Sequence, residues 1–185
     1  QELESSESMS ALMMYLGQAE YPVQVIGETG SQASLDVAVV GQGTIIEQHS
    51  HYDRRLPRPR GGTTTFSREF LELHIEIKDR RVIVFNAHFK AKTRDDPDRR
   101  LAEAQAAREI VREVAEAYPE ALIVLGGDLN DTPGSNPIRA LEEGGGMLRV
   151  AEELGNGDAT YTYQGQAQAI DHLYLVETPA GRYVR

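Results

Sequence analysis

The sequence predicts one layered α/β domain. Three observations lead there. Apolar strand-like runs are interleaved with segments of helical period. The 185 residues suit one domain with a full core and are short for two. A composition of 40% apolar and 26% charged residues is that of a globular protein.

Ser5 to Gly17 reads as the first helix. Ser5 or Ser6 is a natural cap, Met9, Leu12, Met13 and Leu16 form one apolar stripe, and Gly17 is a stop. Pro22 to Ile26 is a short strand, and the apolar run Leu35 to Val40 is a buried one. His49 to Gly62 holds two prolines, two glycines and Arg54, Arg55, Arg58 and Arg60, and reads as a surface loop. Phe70 to Ile77 alternates, with Leu71, Leu73, Ile75 and Ile77 on one face and Glu72, His74 and Glu76 on the other. A turn at Asp79–Arg80 and the run Val82 to Phe85 complete a hairpin whose second strand lies deeper in the sheet.

Asp98 to Tyr118 is the strongest helix. Leu101, Ala104, Val111, Val114, Ala115 and Tyr118 make its apolar side, mixed charges its other face, and Pro119 its end. Leu122 to Leu125 is another buried strand. Pro137 to Glu143 is a short helix closed by three glycines, and Tyr161 to Tyr163 and Ile170 to Val176 are the last two strands.

Composition excludes several classes. The absence of cysteine removes disulfides, thiolate metal sites and cysteine nucleophiles. No run of 18 apolar residues exists, so no membrane span is expected. A net charge of −10 is unlike that of a passive nucleic-acid wrapper. That charge is uneven: 13 of the 19 basic residues and 7 of the 29 acidic ones lie between Arg54 and Arg100, leaving this stretch at +6 and the remainder at −16. A local basic face suits an enzyme acting on a polyanion, and a solvated face with its counter-charges elsewhere reads the same way. The chain opens on Gln1-Glu2-Leu3-Glu4, with no initiator Met and no apolar signal segment. It is expected to be cut from a longer protein, and its localisation is left unassigned.

Three polar clusters sit at the ends of, or within, apolar strands, where rigid backbone holds side chains in place. Gly126-Gly127-Asp128-Leu129-Asn130-Asp131 places Asp128 and Asn130 two apart, on one side of an extended chain. A carboxylate beside an amide orients a water, binds a hard cation or holds a phosphoryl oxygen, and the same residue types build a β-turn that bonds its own backbone. Asn86-Ala87-His88-Phe89-Lys90 puts Asn86, His88 and Lys90 on one side, where His88 can donate to a phosphate and Lys90 supply charge; the same pattern reads as a polar strand exit. Asp171-His172 places a carboxylate inside an apolar strand, where it needs a partner from another element, since His172 points to the opposite face.

Taken in this order, the motifs resemble the endonuclease/exonuclease/phosphatase superfamily, in a bacterial form. Gln1-Glu2-Leu3-Glu4 is similar to its metal-binding Gln-Glu motif, and Phe66-Ser67-Arg68 to its phosphate-side arginine segment. Asn86-Ala87-His88-Phe89-Lys90 is similar to Asn-x-His-x-Lys, Gly127-Asp128-Leu129-Asn130-Asp131-Thr132-Pro133 to Gly-Asp-Phe-Asn-Asp-x-Pro, and Ile170-Asp171-His172-Leu173 to the late Ile-Asp-His strand. The resemblance implies a four-layer sandwich, in which two mixed β-sheets pack face to face with helices outside. It implies that Glu2 ligates Mg²⁺, Mn²⁺ or Ca²⁺, that Asp128 orients or activates the attacking water, and that Asn130 and His88 hold non-bridging phosphate oxygens. It gives Arg68 a charge role toward the phosphate, beside the substrate-binding charge already read for Lys90, and makes Asp171 the residue that orients a catalytic histidine.

The family's early Asn and its late Ser-Asp-His segment have no counterpart in the sequence, so residues 1–185 are expected to be one incomplete domain. The implied function is a metal-dependent phosphodiester hydrolase, foremost a nuclease with nucleic acid as partner. The alternatives are a phosphatase or sphingomyelinase-like phosphoesterase, and a catalytically inactive binding domain of the same fold. The lack of tryptophan and of an inserting apolar loop weighs against work at a lipid surface.

Overall fold

The computed structural model describes residues 2–29, 35–154 and 159–180, with the backbone alone for Glu2, Glu153 and Leu154. In chain order the elements begin with β1 (Glu2–Leu3), α1 (Ser6–Leu16), β2 (Val23–Gly27), β3 (Asp36–Gly41), β4 (Thr44–Ser50), β5 (Leu56–Pro57) and β6 (Thr63–Thr64). They continue with β7 (Leu71–Ile77), β8 (Arg80–His88), α2 (Pro97–Ala117), β9 (Leu122–Asp128), α3 (Asn136–Glu142), β10 (Met147–Arg149) and α4 (Val150–Leu154). The last are β11 (Tyr161–Tyr163), β12 (Gln166–Gln168) and β13 (Asp171–Val176).

The helix ends follow local chemistry. Ser5 Oγ accepts the Ser8 N–H to open α1, and the Gly17 N–H closes it on Met13. Asp96 accepts the Arg99 N–H and Pro97 follows it, so α2 starts with its first orphan donor absent and a later one capped.

A six-stranded sheet runs in the order β10-β13-β9-β8-β7-β4. Among the described residues only β8 and β9 pair in parallel, and α2 makes the crossover between them. Lys78 and Asp79, both at positive φ, close the two-residue turn between β7 and β8 that pairs Ile77 with Arg80. A three-stranded sheet, β1-β3-β2, packs on β7 through Val23, Val25 and Val37 against Leu71, Leu73 and Ile75. Met9 and Met13 of α1 pack with Ala38 of β3. The main core lies on the other side of the large sheet, where α2 and α3 cover Ile83, Phe85, Ile123 and Leu125. Phe66, Phe70 and Phe85 stack there with centroids 5.0 and 5.4 Å apart.

The structure adds to the sequence reading and departs from it at several places. The mixing of strand directions is confined to the large sheet, since every described pair in the small one is antiparallel. β4 was not expected, because a bulge between Ile45 and Glu47 breaks its period of two. It takes His49 and Ser50 out of the expected loop. The polar face of β7 carries two buried residues: His51 and His74 both bond Glu72, at 2.8 and 2.6 Å, and the Tyr118 ring stands edge-on to His74. Arg100 and Glu103 also lie on the buried side of α2. No helix among the described residues is long and apolar enough to cross a membrane.

Candidate functional site

β8, β9 and β13 end side by side. In the parallel pair His88 stands opposite Asp128, and in the antiparallel pair Asp128 stands opposite Asp171. The three residues therefore form one row across three strands and project to one face. That row lines a pocket of about 800 Å³, together with Asn130, Lys92, Tyr161 and Tyr163.

Gly127 makes the row possible. Its φ is +146°, and a Cβ there would land on the Ala87 carbonyl, so glycine alone lets β9 pass this close to β8 one residue before Asp128. Beyond Asp128 the chain does not stay extended. Asn130 takes φ +54°, and its N–H donates to Asp128 Oδ1 at 2.7 Å. The Phe89 N–H donates to the Asp128 carbonyl at 3.0 Å, and Asn130 Nδ2 donates to the Phe89 carbonyl at 3.1 Å. The turn and the pocket use the same residues: one Asp128 oxygen fixes the turn while Asp128 and Asn130 both line the cavity.

Burial holds the His88 imidazole down at about 4, helped by the Arg68 charge and opposed by Asp171. It is therefore neutral at pH 7, with one N–H to give and one lone pair. Its Nε2 lies 4.0 Å from Asp128 Oδ2. Arg68 donates from Nη1 to the Ser67 carbonyl at 3.2 Å, and its buried Nε has no hydrogen-bond partner among the described residues. Burial pushes Asp131 up, but Arg100 and Lys92 outweigh that and hold its carboxyl below the usual range.

α2 grips the loops that frame this row. Glu103, fully buried, accepts the Ser67 N–H at 2.7 Å, the Ser67 hydroxyl at 2.5 Å and the Lys90 N–H at 2.7 Å. Arg100, 2% exposed, donates to the Lys90 carbonyl at 3.0 Å, to Asp95 at 2.7 Å and to Asp131 Oδ2 at 3.0 Å. The Asp131 carbonyl in turn accepts from His172 Nε2 at 2.9 Å. The chain just after His88 and the segment carrying Arg68 are thus pinned to one helix.

Known structures share this arrangement of elements. A truncated TDP2 from Caenorhabditis elegans aligns with a TM-score of 0.70 at 19% identity, over 96% of this chain and 68% of that one. The human Nocturnin catalytic domain with bound sulfate gives 0.70 at 13% identity, over 95% of this chain and 67% of that one. An endonuclease/exonuclease/phosphatase family protein from Bacteroides thetaiotaomicron gives 0.66 at 16% identity, over 92% and 65%. The chain has the endonuclease/exonuclease/phosphatase fold. It spans 53% of another C. elegans TDP2 chain, about half its length. No family model matches the sequence, and no curated protein matches it.

Within that fold, His88, Asp128, Asn130 and Asp171 come together in one pocket. Glu2 pairs with Val37 at the start of β1, but its side chain lies outside the described residues. Lys90 is not in the lining. Its ammonium donates to the Ala91 and Thr93 carbonyls at 2.6 and 2.7 Å, and Lys92 takes the pocket position, 3.2 Å from Asp131. Arg68 is not in the lining either, and reaches the site through its charge. Asn86 turns away, donating to the Ala38 carbonyl at 2.8 Å and so tying the two sheets together.

Arg54, Arg58 and Arg60 face acidic groups of α2 and its cap. Arg58 lies 2.6 Å from Asp96 and 3.2 Å from Asp98, Arg54 lies 3.7 Å from Glu113, and Arg60 lies 3.9 Å from Asp98. The sequence reading did not place Lys92, Tyr161 and Tyr163 in the pocket lining, or Arg100 and Glu103 behind it. Glu103 and Arg100 carried one available signal: two charges on the side of α2 that also holds Ala104 and Ala107.

One trio, Glu47, His49 and His74, has ligand atoms within 4.8 Å of one another. Arg81 already answers it, donating to Glu47 at 3.1 Å and to His74 Nδ1 at 2.8 Å. None of the trio lines the pocket.

Proposed function

We propose that the protein is a divalent-metal-dependent phosphodiester hydrolase that acts on nucleic acid, on a four-layer sandwich. The observation that carries this reading is the row His88–Asp128–Asp171, drawn from three strand ends into one pocket with Asn130. The similarity to D. rerio TDP2 complexed with a single strand DNA product, with a TM-score of 0.62 at 14% identity, supports the substrate class. The donors suit a hard cation, since the lining offers carboxylate and amide oxygens and no thiolate. Glu2 is the residue that would hold the ion, which when bound supplies Lewis-acid stabilisation of charge on the phosphate.

The chain's own residues divide the remaining work. Asp128 accepts a proton from the attacking water as the water oxygen bonds to phosphorus and the ester P–O bond breaks, its electron pair leaving with the alcohol oxygen, which takes a proton from solvent. The neutral His88 gives its N–H to a non-bridging oxygen, which concentrates hydrogen bonding where charge develops. Asn130 offers its second amide N–H to the same phosphoryl group, and the fixed charge of Arg68 favours the anion from behind His88. Asp171 orients a histidine; its charge bears on His88 and His172.

The test is cleavage of plasmid, single-stranded DNA and bis-p-nitrophenyl phosphate with Mg²⁺ or Mn²⁺. Turnover is expected with wild type. It should fall to background in Asp128→Ala, with the circular dichroism of the folded protein retained. No cleavage of any of the three by wild type, or full activity in Asp128→Ala, overturns the reading.

A further inference from the structure

Tyr161 and Tyr163 are large aromatic residues left half exposed, at 48% and 54%, where they line the pocket that holds the carboxylate row. Their rings are nearly parallel, 15° apart with centroids separated by 6.4 Å. They sit two apart on β11 and so share one face of the β11–β12 ribbon, whose register pairs Tyr161 with Gln168 and Tyr163 with Gln166. Gln164 and Gly165, both at positive φ, close that ribbon in a tight two-residue turn.

The pair is also tied to the chemistry. The hydroxyl of Thr160, immediately before Tyr161, accepts the backbone N–H groups of Ile170 and Asp171 at 3.2 and 3.1 Å. The Thr160 N–H donates to Gln168 at 2.9 Å. The rings therefore stand at a fixed distance from the first residue of β13, which is itself a member of the row.

We propose that Tyr161 and Tyr163 form a stacking platform for a nucleobase of the substrate, next to the phosphate held by His88, Asp128 and Asn130. The inference rests on the phosphodiesterase reading and names its substrate class: a nucleotide-bearing, locally single-stranded phosphodiester, because a paired base does not offer its face to a ring. Exposed aromatics beside a phosphate site are the two components that single-strand binding combines. The near-parallel rings distinguish this ligand from a quaternary ammonium headgroup, which is recognised by rings set around a cation. Flat, similarly oriented rings match a planar π-system, and every base has such a face.

The experiment separates this inference from the catalytic one by measuring binding in EDTA, where no turnover occurs. Fluorescence anisotropy compares a labelled short single-stranded oligodeoxyadenylate with an oligomer of the same length built on abasic spacers. The two carry the same phosphate charge, and only the first has bases. Wild type is expected to bind the base-bearing oligomer roughly 10- to 100-fold more tightly. That difference should collapse in the double variant Tyr161→Ala/Tyr163→Ala and persist in Tyr161→Phe/Tyr163→Phe, which keeps the rings and loses only the hydroxyls.

Equal affinity of wild type for the two oligomers overturns the proposal, as does a preference that survives in the double alanine variant. Tyrosine-dependent capture of sphingomyelin vesicles without preference for bases overturns it in favour of a headgroup site. A protein that passes this test and cleaves nothing with metal retains the platform and loses the hydrolase reading. One that cleaves but shows no base preference loses the platform alone.

Discussion

At the scale of single residues, His88 shows how burial selects a chemical state. An imidazole held at about 4 is a neutral donor across the working range of most hydrolases. The acid limb of kcat/KM that reports His88 is therefore expected near pH 4, where an unperturbed histidine would place it at about 6.5. A limb at the ordinary value overturns the assignment of a buried neutral His88. The same shift has a stability consequence. Because the folded pKa lies below the unfolded one, the unfolded chain binds the extra proton first as pH falls. His88 thus favours folding fully above about 6.5, and that contribution is lost between there and about 4. The melting temperature of wild type measured relative to His88→Gln should therefore fall as pH is lowered across that window, and a constant difference would overturn the shift. Gly127 is the other residue with a sharp expectation. Gly127→Ala forces a Cβ onto the Ala87 carbonyl and is expected to destabilise the protein by at least about 2 kcal/mol in urea unfolding. A wild-type midpoint would show that β8 and β9 can separate at no cost.

At the scale of elements, α2 supports the site from outside it. Glu103→Ala strands the N–H groups of Ser67 and Lys90 in a buried place, each costing about 1–3 kcal/mol. Glu103→Gln keeps an acceptor for only part of that set and should fall between. Activity is expected to drop in the order wild type, Gln, Ala, with the loss in kcat, since the residue positions the strand exit and touches no substrate. An equal fall in both variants would point to a requirement for the charge itself. The ribbon formed by β5 and β6 calls for the opposite experiment. Arg58 pairs with Asp96 and Asp98 at the start of α2, so Arg58→Ala should lower the melting temperature and leave the salt slope of oligonucleotide binding as it was. A flattened slope would show that Arg58 contacts the phosphates. Both cases show where the sequence was legible. β7, β8, β9 and α2 announced themselves by period and apolar content, while β4 hid behind its bulge, and β10 and β12, at three residues each, are too short to carry a period.

At the scale of the whole molecule, His88, Asp128 and Asp171, one from each of three polar clusters of the sequence, meet where the strands end, and the register explains why. His88, Asp128 and Asp171 are far apart in the chain and adjacent in the sheet. What the sequence withheld was partner choice. The stretch from Arg54 to Arg100 carries a surplus of positive charge on paper, yet Arg54, Arg58, Arg60 and Arg100 lie against carboxylates in space. Lys90 illustrates the same gap, since its motif position suggested a phosphate contact and its side chain turns back on its own loop. The backbone of Lys90, by contrast, is held on both sides by α2: its N–H donates to Glu103 and its carbonyl accepts from Arg100. Neither attachment involves the side chain at that position. The amino acid written there is thus free to drift so far as this clamp is concerned, while the two letters that hold it stand ten and thirteen places downstream. A mutational survey of activity should find its most sensitive distant positions inside that helix, where no substrate ever reaches.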